Sequence, residues 1–128
     1  MLRWYSSLNL SLYKTKEDQM SDESNLIGVV LNVKEMVSYQ PGTVVSRTVI
    51  DKSVGTVTVF AFDSGQGLSE HTAPFDALVQ IIGGVADITI AGSVHTVREG
   101  EIIIMPANKP HSLKANPQFK MLLIMIRK

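Results

Sequence analysis

The sequence predicts an all-β barrel or sandwich, on the evidence of its strand-like runs and the turns between them. From Val44 to Ile126, runs rich in β-branched and aromatic residues recur about every ten residues. Residues that favour turns cluster between the runs, as at Lys52–Gly55 and Asn116–Pro117. Short strands at this even spacing are typical of closed or two-layered β-structures.

The individual strands follow from these runs and turns. The glycine pair Gly83–Gly84 is interpreted as a turn between two of them. Upstream, Leu26–Leu31 is predicted to form a short strand, and Asn32 with Glu35 three residues later indicates the cap of one helical turn. The predicted strands of the barrel are Val44–Ile50, Thr56–Phe62, Leu68–His71, Ala77–Ile82, Ala86–Ile90, His95–Val97, Ile102–Met105, His111–Lys114 and Phe119–Ile126.

Two of these strands differ in their alternation. Residues 86–90 alternate between apolar and polar side chains, so this strand is expected to have one face in water. Met121–Ile126 is apolar on both faces, as expected for a strand that packs inside its own barrel on one side and against a second sheet or subunit on the other. A homodimer follows as a hypothesis.

Composition limits the class of protein. The chain has 128 residues, enough for one domain, and its 12 basic residues balance 12 acidic ones. Because there is no net charge, neither nucleic acid nor a membrane surface is expected as a partner. There is no cysteine, which excludes disulfides and thiolate chemistry. No secretory signal and no run of about 18 apolar residues is found, so we expect a cytoplasmic protein.

The N-terminal residues differ in composition from the rest. Leu8, Leu10 and Leu12 alternate with polar residues, and a polar, charged stretch follows. We predict that residues 1–25 form a tail or extension, with Met20 as a candidate for the true start, and that residues 26–128 form a single barrel domain. An edge strand over the alternating leucines is the alternative.

Two histidine-containing segments resemble the paired motifs of the cupin superfamily. The first family motif reads Gly, five residues, His-x-His, three or four residues, Glu, six residues, Gly. The second reads Gly, five residues, Pro-x-Gly, two residues, His, three residues, Asn. The positions that agree with the motifs are Gly65, His71, Gly84, Gly100, Pro106 and His111. The resemblance covers about residues 37–128 and implies a jelly-roll β-barrel, or double-stranded β-helix.

The remaining motif positions are changed. Ala73 stands for the second histidine, Ala77 for the glutamate, Asn108 for the second-motif glycine and Ala115 for the asparagine. In the family, the histidines and the glutamate bind a metal ion, so the resemblance leaves only His71 and His111 as donors. Without a carboxylate, a divalent transition metal is expected to bind weakly.

Asp76, next to the lost glutamate, is a candidate third metal ligand. Strand alternation places it on the opposite face from Ala77, which argues against this role, although Pro74 interrupts the regular pattern just before it. His95 lies in a polar stretch and is expected at the surface.

The resemblance also implies a ligand-binding pocket inside the barrel. Its expected lining is mostly apolar with a few polar groups, which is usual for a small-molecule site. The candidate lining residues are His71, Ala73, Ala77, Val79, Met105, His111, Phe60 and Phe62.

The function predicted from these features is that of a small single-domain cupin that binds a small molecule, with His71 and His111 as polar anchors and with or without a metal. The sequence does not decide whether the chain is an enzyme. One alternative is a metal-dependent cupin enzyme of the oxygenase or isomerase type, which would use both histidines and a non-standard third ligand. Another is a barrel filled by its own side chains that serves only in assembly, because one fold hosts many functions.

Overall fold

A computed structural model describes residues 23–127, which form a curled antiparallel sheet that makes a half-barrel. The strands confirm the predicted all-β fold. No helix within this described part of the chain is long and apolar enough to cross a membrane. Two short 3-10 turns, Glu23–Leu26 and Val33–Glu35, precede the strands, which are β1 (Val44–Lys52), β2 (Gly55–Phe62), β3 (Gly67–His71), β4 (Ala77–Ile90), β5 (Ser93–Arg98), β6 (Ile102–Met105), β7 (His111–Lys114) and β8 (Phe119–Ile126).

The strands form two layers that share β4. Sheet A has the order β1-β2-β8-β4-β6 and uses the first half of β4. Sheet B has the order β3-β7-β4-β5 and uses the second half. All of these pairings are antiparallel, so every strand can alternate between an interior and an exterior face.

The predicted turn at Gly83–Gly84 is wrong, because β4 continues through it. The register of β4 against β8 shifts between Ile81 and Gly83, and Gly84 has a φ of 77°. A side chain at Gly84 would collide with the backbone oxygen of Gln118. The two glycines therefore form a bulge and bend that carries one long strand from sheet A into sheet B.

The predicted strand Leu26–Leu31 is also wrong. The first 3-10 turn includes Leu26, and the residues after it have no regular structure. Ile27 and Val30 are 74% and 99% exposed, so these β-forming residues are not packed against either sheet. The predicted cap is confirmed, because the Lys34 backbone N–H donates to the Asn32 side chain over 3.1 Å. Residues 1–22, with the alternating leucines and Met20, lie outside the described residues.

The main core lies between the two sheets and is shown most clearly by β8. Its alternate residues Phe119, Met121, Leu123 and Met125 are buried in the interior, while the residues between them face outward. Phe119 stacks on Phe62 of β2 with 4.6 Å between ring centroids. Residues 121–126 are apolar on both faces, as predicted; on the outer face Leu122 packs within the protomer, whereas Ile126 is 67% exposed.

A smaller cluster covers part of the outer face of sheet A. Val37 is buried against Val59 and Ala61 of β2, with the 3-10 turn Val33–Glu35 alongside. Lys120 of β8 donates from Nζ to the carbonyl oxygen of Lys34 over 2.7 Å. The chain upstream of β1 therefore folds back over one part of this outer face.

Candidate functional site

His71 and His111 occupy facing positions on β3 and β7. Their ring centroids lie 4.5 Å apart, with the ring planes at 72°. His111 is 2% exposed, whereas His71 is only partly buried. The structure thus brings the two predicted histidines together beside the barrel interior.

A β-bulge explains how His71 reaches this position. Leu68 is buried, and strict alternation would turn a residue three places further on toward the outside. The register between β3 and β7 shifts between Leu68 and His71, so that β3 uses one more residue than β7 over this stretch. The bulge returns the His71 side chain to the side where His111 lies.

Both imidazoles are oriented by backbone carbonyl groups two residues upstream. Nδ1 of His71 lies 2.6 Å from the Ser69 oxygen, and Nδ1 of His111 lies 3.1 Å from the Lys109 oxygen. Because a carbonyl oxygen only accepts, Nδ1 of each ring is the donor, and Nε2 is the acceptor in the neutral ring. Nε2 of each ring is buried.

The charge state of His111 follows from its surroundings. Burial lowers the pKa of His111, the nearby His71 lowers it further, and the contact with the Lys109 carbonyl opposes these effects in part. His111 is therefore neutral at neutral pH, and its Nε2 has the character of a hydrogen-bond acceptor.

The loops that precede His111 and follow His71 are fastened to each other. Asn108 donates its backbone N–H to the Ala73 oxygen over 2.7 Å, and Ala107 donates its own to Oδ1 of Asp76 over 2.8 Å. Asn108 has a φ of 64°, in the left-handed region that glycine and asparagine adopt most readily. The substitution at this motif position therefore preserves the turn that places His111.

The donors present do not fit the four-ligand metal site of the resembled family. Ala73 and Ala77 are 4% and 1% exposed and have no donor atoms. Asp76 is exposed and its carboxylate binds the Ala107 backbone instead. Within residues 23–127, no group of three or more His, Cys, Asp or Glu is arranged to hold a metal ion.

The other residues predicted to line the pocket lie in the same interior cluster. Val79, Met105, Phe60 and Phe62 are each 0% exposed and belong to the core between the sheets. Sequence reasoning missed Phe119, which stacks on Phe62, because residues 121–126 of its strand are apolar on both faces and only Lys120 marks the outer one. His95 is exposed, as predicted.

Comparison with known proteins identifies the family of this barrel. Residues 53–126 match the family model described as the AraC-like ligand binding domain. The chain belongs to this family, within the cupin superfamily. The cupin resemblance and the jelly-roll fold are thereby confirmed, and the chain is a cupin-type small-molecule-binding domain.

Solved structures of similar proteins agree with this assignment. A conserved protein of unknown function from Streptococcus pyogenes is 38% identical with a TM-score of 0.76, over 79% of this chain and 89% of that one. A cupin 2 conserved barrel domain protein from Leptotrichia buccalis is 38% identical with a TM-score of 0.74, over 76% of this chain and 47% of that one, so this chain spans about half its length.

A third structure shares the fold at lower identity. A cupin superfamily protein from Desulfitobacterium hafniense has a TM-score of 0.75 at 24% identity, over 79% of this chain and 93% of that one. No curated protein matches the chain.

Proposed function

We propose that the barrel binds a small, mostly apolar organic ligand, with His71 and His111 as its polar anchors. The observation that carries this proposal is the pairing of the two rings, 4.5 Å apart between centroids, at the edge of an apolar interior. Membership of a ligand-binding family supports it. Apolar walls with a few placed polar groups are the usual lining of a small-molecule site.

The charge of the interior favours a neutral ligand. The buried polar residues within the described part of the chain are Ser46, Thr56, Thr58 and His111, and none of these is a carboxylate, an ammonium or a guanidinium group. A charged ligand would lose its hydration without gaining an opposite charge. A ligand with hydroxyl or amide N–H donors and an apolar body suits the imidazole acceptors.

This binding does not require a metal ion. Two imidazoles without a carboxylate hold a divalent transition metal weakly, because they supply few donors and no negative charge. The proposed role is therefore that of a binding or sensing domain.

The assembly we propose is a cytoplasmic homodimer joined through the outer face of sheet A. Ile104 of β6 and Ile126 of β8 are 55% and 67% exposed on this side. Burial of exposed apolar residues on a sheet face is a common basis for self-association.

The test of ligand binding is a thermal-shift screen with hydroxylated aromatic compounds and short aliphatic alcohols and amides. We expect compounds that stabilise the wild type to lose most of their effect with His111→Leu and to keep it with His95→Leu, a matched change at an exposed histidine. Stabilising compounds that act equally on His111→Leu would contradict the proposed anchors.

A further inference from the structure

An apolar row crosses the outer face of sheet A beyond the part that residues 33–39 cover. Strand pairing places its five members side by side on successive strands: Ile50, Val57, Ile124, Leu78 and Ile104. The two ends of the row, Ile50 and Ile104, are 43% and 55% exposed. A groove of about 330 Å³ lies at the β1–β2 end of the row and is lined mainly by aliphatic side chains. Within residues 23–127, both ends of the row are therefore exposed, and Val57, Leu78 and Ile124 between them are partly exposed.

A second exposed apolar feature is the segment Ile27–Leu31, which is held at both ends against strands of sheet A. It joins the first 3-10 turn, which lies beside β1, to the second, where Lys34 accepts a hydrogen bond from Lys120 of β8. Val30 is 99% exposed. Ile27, Val29 and Val30 of this segment are residues that favour strands, although no strand forms there.

We propose that these two features meet in the homodimer, with Ile27–Leu31 of each protomer packed on the apolar row of its partner. This inference rests on the dimer of the proposed function and specifies how the two copies join. In a two-fold interface the same patch is used twice, so the segment and the row are buried together in both protomers.

The size of the combined patch agrees with that of a stable dimer interface. The exposed fractions of its large apolar residues add up to about five and a half fully exposed residues, on the order of 500 Å² or more of apolar surface. A standard interface buries about 800 Å² per partner, of which rather more than half is apolar. The residues summed are Ile27, Val29, Val30, Leu31, Ile50, Val54, Ile102, Ile104 and Ile126.

A second copy of this chain is the partner that fits best. The chain itself supplies both the extended apolar segment and the apolar surface that such a segment would cover. The formal net charge is +0, so two identical copies do not repel each other at long range.

The test is the mass of the full-length protein in solution, measured by light scattering after gel filtration. We expect a dimer for the wild type, and for Val30→Asp either a monomer or a dimer whose association is weakened about tenfold or more. Because the Val30 side chain is exposed, this change should leave the melting temperature of the monomer unaltered. Val94→Asp is the matched control. Val94 is 66% exposed on β5 of the other sheet, so this variant should stay dimeric.

A mixing experiment tests the contact directly. Ile104→Lys alone should also be monomeric. Equal amounts of Val30→Asp and Ile104→Lys should form a heterodimer, because the dimer contains the contact twice. In the heterodimer one copy of the contact brings the introduced opposite charges together, and the other keeps both wild-type residues. A dimeric Val30→Asp beside a monomeric Ile104→Lys, or a mixture that stays monomeric, would overturn the segment contact. A monomeric wild type would overturn the dimer itself and leave the ligand proposal standing.

Discussion

Asn108 donates its backbone N–H to the carbonyl oxygen of Ala73 over 2.7 Å, and this bond fastens the loop before His111 to the loop after His71. Asn108 adopts a φ of 64° at this point. The residue at the motif glycine position therefore acts through its backbone. The spacing of the two histidines depends on the turn that it allows.

Replacing Asn108 tests this backbone role. Asn108→Ala should lower the free energy of unfolding by about 1 kcal/mol. Alanine has a β-carbon that disfavours the left-handed region, and it lacks the local polar interactions that let asparagine adopt it. Asn108→Gly should be neutral or slightly stabilising, since glycine adopts this conformation without steric cost. Urea unfolding of the three proteins gives the comparison. Equal stability of the alanine and glycine variants would show that the conformation does not matter.

The lowered pKa of His111 predicts a pH dependence of stability. In the unfolded chain this histidine titrates near pH 6.5, whereas burial and His71 lower its pKa in the folded protein. As the pH falls below about 6.5, the unfolded state binds the proton before the folded state does. The stability that the neutral His111 contributes above that pH is therefore lost progressively as the pH falls to the pKa of His111 in the folded protein.

Urea unfolding between pH 8 and pH 5, in the presence of a chelator, measures this effect. His111→Gln should show a smaller loss of stability on acidification than the wild type. His95→Gln, at an exposed histidine, should follow the wild type. Parallel pH curves for the wild type and His111→Gln would contradict the assigned cause.

Removal of the N-terminal residues tests the predicted tail. A chain that begins at Met20 should melt within a degree or two of the full chain, because few of the preceding residues are apolar in a pattern that can pack. A drop of several degrees would show that Leu8, Leu10 and Leu12 pack against the barrel or a partner.

The fold could be predicted because its signals are local. The strands from Val44 to Ile126 are short runs of β-forming residues between turn residues, and both kinds of signal are visible in a few residues at a time. The motif spacing then selected one barrel among the all-β folds. Gly83–Gly84 was mistaken for a turn, because a glycine pair that bends a continuous strand resembles one that ends it.

The site was predicted in part, because its geometry depends on pairing between distant residues. Alternation from Leu68 would turn His71 outward, and the bulge that turns it inward exists only in the register with β7. The bond from the Ala107 backbone to Asp76 is likewise a contact between two loops. Neither contact leaves a signal in the residues around it.

Restoring the changed motif positions tests whether the missing donors and the missing negative charge are the reason for weak metal binding. Ala73→His with Ala77→Glu should bind Mn²⁺ far more tightly than the wild type in calorimetric titration, since a second imidazole and a carboxylate join the two histidines. Ala73→His with Ala77→Gln is the control, with nearly the same volume but no negative charge, and it should bind more weakly. Equal affinity in the two double variants would show that the missing charge is not the reason.

In the proposed function, the two histidines serve a small-molecule site that needs no tightly held metal. Elemental analysis of the untagged full-length protein, before and after dialysis against a mild chelator, tests it most directly. We predict transition metal well below one equivalent before dialysis and almost none afterwards, with the fold unchanged. One equivalent that survives the chelator and is lost in Asp76→Asn would contradict the claim and favour a metal-dependent enzyme.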